Sequence, residues 1–238
     1  MEERVTPAIE VGLTDGRVAV DGEAVHLTCR EFDLLAALAL ERAPLATETL
    51  IDRIWPDKDN DEGRASLKVY VHRLRRAIGH GSIILGDRRQ WRLSCGVSVD
   101  TWHWETALNE CKASPLDDQT RTTLFAAYAA LLMPRSAYVM RSALYTDLDE
   151  AFQGLLRSIG VRLVEDAIAR GDASAALRIA RSIMPIDPYS EVVHEAILRA
   201  HVQMKNVRAV HAQIESYRSV GTARSAKVIG ALQAALPS

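Results

Sequence analysis

Apolar and polar positions alternate at the start of the chain: Ile9, Val11 and Leu13, then Val18 and Val20, then Val25 and Leu27. A period of two is that of half-buried strands. Asp15-Gly16 and Asp21-Gly22 separate the runs, and glycine supplies the positive φ that tight turns require. The period then becomes helical. Thr28 and Glu31 have capping-box spacing, and Phe32, Leu35, Leu38 and Ala39 follow at helical intervals. Pro44 ends that region. A short second helix is expected from Thr47 to Trp55, burying Leu50, Ile51 and Ile54, with Pro56 barring its extension. After a polar loop over 57–61, the pattern predicts a third helix over 62–79. Leu67, Val71, Leu74 and Ile78 share one face of it, while Val69, His72, Arg73 and Arg76 point the other way and Lys68 and Arg75 lie on a flank. Residues 83–93 predict a hairpin, with Ile83 and Leu85 outbound, a tip at Asp87-Arg88-Arg89 and a return through Trp91 and Leu93.

From Val99 onward the apolar positions are helical throughout, rich in alanine. Gly171-Asp172 recurs as Lys205-Asn206 and Ala176 as Val210, a spacing of 34 residues. That is the period of tetratricopeptide helix pairs. Residues 222–238 read as one more helix or a loose tail. The expected fold class is therefore mainly α with a small β part. A winged helix-turn-helix over 1–98 precedes an all-α, tetratricopeptide-like domain over 99–238.

Composition narrows the class without naming a function. A chain of 238 residues, 48% hydrophobic and 25% charged, is that of an ordinary globular protein. Cys29, Cys95 and Cys111 are odd in number and scattered, which fits reduced thiols rather than a disulfide framework. With no export signal and no long apolar run, the expectation is a cytoplasmic protein away from membranes. The net charge of −2 conceals an asymmetry. Between residues 61 and 92, eight basic residues face Asp61, Glu62 and Asp87, so a basic patch sits on an otherwise acidic chain. Such a patch suits directed binding to double-stranded DNA.

These elements together resemble a known family. Val25-His26-Leu27-Thr28, Glu31-Phe32, the stretch from Leu50 to Trp55, Val71-His72-Arg73-Leu74-Arg75-Arg76-Ala77-Ile78 and Trp91-Arg92-Leu93 resemble, in order and spacing, the DNA-binding domain of OmpR/PhoB-type regulators. The tip Asp87-Arg88-Arg89-Gln90 departs from the glycines usual in that wing. Val99-Asp100, Gly171-Asp172 with Ala176-Leu177, and Ile186-Asp187-Pro188 with Glu191 resemble the bacterial transcriptional activator domain of SARP-type regulators, although 114–150 matches poorly. The resemblance implies roles. Lys68, Val69 and Arg73 would face bases, with Ser66, Tyr70, His72, Arg75 and Arg76 on phosphates. Arg88 and Arg89 would reach a neighbouring minor groove, and Asp57, Lys58 and Asp59 would touch RNA polymerase. It also implies a homodimer on DNA and an activator, with a protein or ligand docking on the helical domain left open.

Other chemistry is weakly signalled. His194 and His201 lie seven apart with no carboxylate or cysteine in register, so no metal site is expected. No phosphate loop or nucleophile elbow occurs, and neither an enzyme nor a cofactor is expected. Two alternatives stay open: a tetratricopeptide-like interaction adaptor, and a repressor using the same DNA-binding domain.

Overall fold

The computed structural model describes residues 8–81, 83–87, 89–111, 115–219 and 226–230. Contacts divide the chain into two compact units, Met1–His103 with Met133–Phe152, and Trp104–Leu132 with Gln153–Ser238.

The first unit opens with β1 (Ile9–Gly12), β2 (Arg17–Val20) and β3 (Glu23–Val25), an antiparallel run in the order expected from the alternation. Asp21 and Gly22 both take positive φ, 51° and 83°, which is the backbone of a two-residue hairpin turn whose twist matches the strands it joins. α1 (Cys29–Glu41) starts at the reciprocal Thr28–Glu31 capping box and ends at Arg42 in the left-handed region. β4 (Leu45–Ala46) leads to α2 (Thr47–Ile54) and then α3 (Asn60–Ile78). α3 begins two residues earlier than the pattern predicts, because Asp59 is its N-cap and accepts from the Glu62 amide at 2.9 Å. Asp61 and Glu62 in the first turn then face the positive end of the helix dipole. β5 (Ile84–Gly86) and β6 (Gln90–Leu93) form the expected hairpin. β6 also pairs with β4, giving a second sheet in the order β4-β6-β5. β7 (Val97–Val99) returns to lie parallel with β1, and neither β4 nor β7 is anticipated from the sequence. Phe32, Leu35, Leu38, Leu50, Ile51, Ile54, Leu67, Val71, Leu74 and Ile78 are all buried, as their helical spacing requires.

Residues 133–152 also belong to this unit, so the division departs from the single boundary expected at 98/99. The reason is a buried carboxylate on α1. Asp33, 1% exposed, accepts from the Ser142 hydroxyl at 2.6 Å and the Ala143 amide at 3.2 Å. Tyr138, in the short helix α6 (Ala137–Met140), packs edge-on to Phe32 at 5.3 Å and donates its hydroxyl to the Leu27 carbonyl. A sequence distant by about 110 residues thus completes the core beneath α1, and burial pushes the Tyr138 phenol up to about 12.

The second unit draws on α4 (Asp100–Glu110), α5 (Asp118–Leu132), α7 (Tyr145–Ala169), α8 (Ala173–Ile183), α9 (Glu191–Gln203) and α10 (Val207–Arg218). The 34-residue repetition is present as repeated geometry. Asp172 caps α8 by accepting from Ala175 at 3.0 Å, and Asn206 caps α10 by accepting from Ala209 at 3.1 Å. The preceding residues, Gly171 and Lys205, both take positive φ, 77° and 55°. Their amides donate to Ile168 and Val202, themselves 34 apart. Ala176 and Val210 are both fully buried. Each turn therefore folds a helix back on its predecessor in the same way, which is how helix-pair repeats stack.

His201, 5% exposed on α9, has a ring nitrogen buried without a hydrogen-bond partner among the described residues. Burial, reinforced by Arg181, pushes its pKa down. The folded unit therefore binds fewer protons here than the unfolded chain. Stability held above about pH 6.5, the unfolded histidine value, is expected to fall as pH drops toward the lower folded value. Denaturation midpoints at pH 7.5 and 5.5 measure this. The drop should shrink in His201→Gln; an equal drop in that variant would assign it elsewhere.

Candidate nucleic-acid interface

α3 presents two faces because its apolar residues recur by fours and threes. With Leu67, Val71, Leu74 and Ile78 buried, Lys68, His72, Arg73 and Arg76 are exposed and Val69 is 48% exposed. That row of basic side chains with one apolar side chain carries the donors and the methyl groups that can meet base edges in a major groove. The helix is seated by two features the pattern analysis missed. Gly63 is buried where a Cβ would run into the Ile51 side chain, so α2 and α3 approach more closely than any other residue permits. Gly79, φ 71°, closes α3 as its C-cap. A lone glycine inside a helical pattern was the available signal for the first.

The residues assigned to phosphates fall into distinct settings. His72 and Arg76 are exposed on the outer face. Ser66 accepts from the Lys58 ammonium at 2.7 Å, which ties loop 55–59 to the helix. Tyr70 touches both Trp55, with ring centroids 5.5 Å apart, and Arg73, whose guanidinium lies over the ring 5.4 Å from its centroid. Arg75 is held by the wing. Its Nη2 donates to the Ile84 carbonyl at 2.6 Å and its Nε is buried, so the half-buried side chain braces β5. Its flank position on the helix points it at the hairpin, a direction that a helical wheel cannot supply.

The hairpin is anchored as well as paired. The Thr47 amide at the start of α2 donates to the Arg89 carbonyl at 2.8 Å, and the Trp91 indole donates to the Thr47 hydroxyl at 3.1 Å. Asp87 accepts from the amides of Arg89, at 2.6 Å, and Gln90, at 3.0 Å. Those bonds, the Arg89 amide foremost, hold the Asp87 carboxyl below its ordinary pKa. The tip departs from a glycine-rich wing, yet Gly86 beside it abuts the Trp91 ring and Gln90 carbonyl so closely that no Cβ fits. An aspartate turn thus does the work of a glycine turn. Arg89 is exposed on this fixed tip, and Arg88 lies outside the described residues. A groove of about 370 Å³ separates hairpin and helix, lined by Thr47, Arg64, Leu67, Lys68, Asp87 and Trp91.

Of the expected polymerase loop, Asp57 and Lys58 are exposed, while Asp59 is engaged as the α3 cap. Among the described residues no group of three or more His, Cys, Asp or Glu is placed to hold a metal, and no helix is long and apolar enough to cross a membrane.

Comparison with known proteins agrees with this geometry. Residues 22–88 match the family described as "Transcriptional regulatory protein, C terminal". No curated protein matches the sequence. A solved structure, Mycobacterium tuberculosis EmbR in complex with a low affinity phosphopeptide, is similar with a TM-score of 0.73 and 19% identity, over 98% of this chain and 67% of that one. Likeness at that identity establishes a shared fold for the winged helix and the helical repeats. Residues 22–88 therefore form the winged-helix, DNA-binding module of a transcription regulator.

Proposed function

We propose that the protein is a SARP-type, sequence-specific regulator that binds promoter DNA through α3 and its wing, and activates transcription by contacting RNA polymerase. The observation that carries this reading is the outward face of α3, with Lys68, Val69 and Arg73 beside a wing anchored on α2. Lys68, Val69 and Arg73 read bases. Ser66, His72 and Arg76 meet phosphates, and Arg89 reaches a neighbouring minor groove. Asp57 and Lys58 form the polymerase-facing loop. A homodimer on half-sites about one helical turn apart, in the cytoplasm, completes the reading.

Selection from a randomised DNA pool, followed by binding across a salt series, tests it. Affinity for the selected site is expected to fall steeply as salt rises, because phosphate contacts release counterions. Arg73→Ala is expected to lose about 1–3 kcal/mol on that site and to relax preference at one base pair. Enrichment of no sequence from the pool at low salt would overturn sequence-specific binding. In vitro transcription from the selected promoter reads the sign: higher output with the protein supports activation, and lower output replaces it with repression.

A further inference from the structure

We propose that Tyr70 is a positioning residue for base reading: its ring, braced on Trp55, holds the Arg73 guanidinium in place on the outer face of α3. This deepens the proposed function and rests on Arg73 reading a base. Three observations support it. Trp55 is the C-cap of α2, 6% exposed, with its amide donating to Ile51 at 2.7 Å, so it is fixed to the core. Tyr70, half-buried, packs on it at 5.5 Å with an interplanar angle of 33°. Arg73, one turn later and exposed, sits over the same ring at 5.4 Å.

A free arginine on a helix surface samples many rotamers, and ordering it on contact with DNA opposes binding. A guanidinium laid over an aromatic ring has fewer positions open to it before DNA arrives. Its N–H donors lie at the edge of the cationic plane, so contact with a ring leaves them available to the N7 and O6 acceptors of guanine. The series Trp55, Tyr70, Arg73 thus transmits the rigidity of the α2 core to the atom group that reads sequence. Tyr70 acts through its ring in this arrangement, whereas a phosphate contact acts through its hydroxyl. The two roles predict opposite behaviour for one conservative substitution.

The test uses the full chain, the DNA site selected from the random pool and a set of single base-pair variants of it. Arg73→Ala first identifies the base pair that Arg73 reads, by a loss of discrimination there of about tenfold. Tyr70→Phe is expected to keep discrimination at that pair and to leave the salt slope unchanged. Tyr70→Leu is expected to reduce discrimination there about two- to fivefold and nowhere else. In the Arg73→Ala background Tyr70→Leu should cause no further loss of discrimination. Should Tyr70→Leu fail to fold by circular dichroism, Tyr70→Gln carries the same expectation. A uniform loss of affinity in Tyr70→Phe, with a shallower salt slope and intact discrimination, would overturn the proposal in favour of a phosphate contact. Unchanged discrimination in Tyr70→Leu would overturn it too. If Arg73→Ala itself leaves every preference intact while DNA is still bound, the base-reading assignment of Arg73 fails, and this inference with it.

Discussion

Asp166→Ala is expected to lower the stability of the helical unit by about 3–5 kcal/mol, the usual cost of removing one partner from a buried ion pair. Asp166, on α7, is fully buried and accepts from the Leu116 amide at 2.7 Å, Arg121 Nε at 3.0 Å and Arg170 Nε at 2.9 Å. Burial alone would raise its pKa. The hydrogen bonds from Leu116, Arg121 and Arg170 outweigh that, and the net displacement is downward. The carboxylate thus gathers three pieces of backbone: the approach to α5, the first turn of α5 and the C-terminal end of α7. Alanine strands the Leu116 amide and leaves Arg170 Nε and Arg121 Nε without this acceptor, although Arg121 keeps Asp118 and the Leu116 carbonyl. Asp166→Asn should fall between the two, since its carbonyl still accepts while its amide opposes the neighbouring donors. Chemical denaturation followed by far-ultraviolet circular dichroism measures the change. A loss under about 1 kcal/mol would mean that desolvation and pairing nearly cancel at this site.

The second large effect falls on the helix-turn-helix. Gly63→Val is expected to cost the first unit about 2–3 kcal/mol, in the range of overpacked cores. A Cβ at 63 would collide with Ile51, which is fully buried and, being β-branched, has little χ1 freedom with which to retreat. α3 must then move off α2, which also shifts Lys68, Val69 and Arg73 relative to the anchored wing. Two losses are expected together: a lower unfolding midpoint by tryptophan fluorescence, and weaker DNA binding at temperatures where the variant remains folded. Gly63→Ala should cost less, because alanine regains about 1 kcal/mol of helix propensity that glycine forgoes. A valine variant within about 0.5 kcal/mol of the parent would show that α2 accommodates the side chain by a small rotation.

Much of this molecule is legible in its sequence because the relevant interactions are local. The Asp21-Gly22 turn, the Thr28–Glu31 capping box and the buried row Leu67, Val71, Leu74, Ile78 each follow from a few neighbouring residues. The 34-residue echo is legible for the same reason. Asp172 and Asn206 are both short polar caps after a left-handed residue, and either side chain closes that turn. Charge is only partly legible. The sequence places cations at 68, 73, 75 and 76, but not which of them is tied back to the wing. Arg75 is, because its carbonyl partner, Ile84, lies on a strand whose approach no helical period encodes.

The sequence by itself determined the order of the main strands and helices, the inward face of α3, the Thr28–Glu31 cap that opens α1 and the basic character of residues 61–92, since periodicity, turn chemistry and capping act within about one or two turns of chain. Only the tertiary structure decided how close α2 and α3 come at Gly63, how the wing is pinned at Arg89 and braced by Arg75, and that residues 133–152 complete the core under Asp33. α3 therefore owes its composition to local rules and its placement to contacts between residues far apart in the chain. Such contacts leave no period to read, because each depends on where two separately formed elements meet.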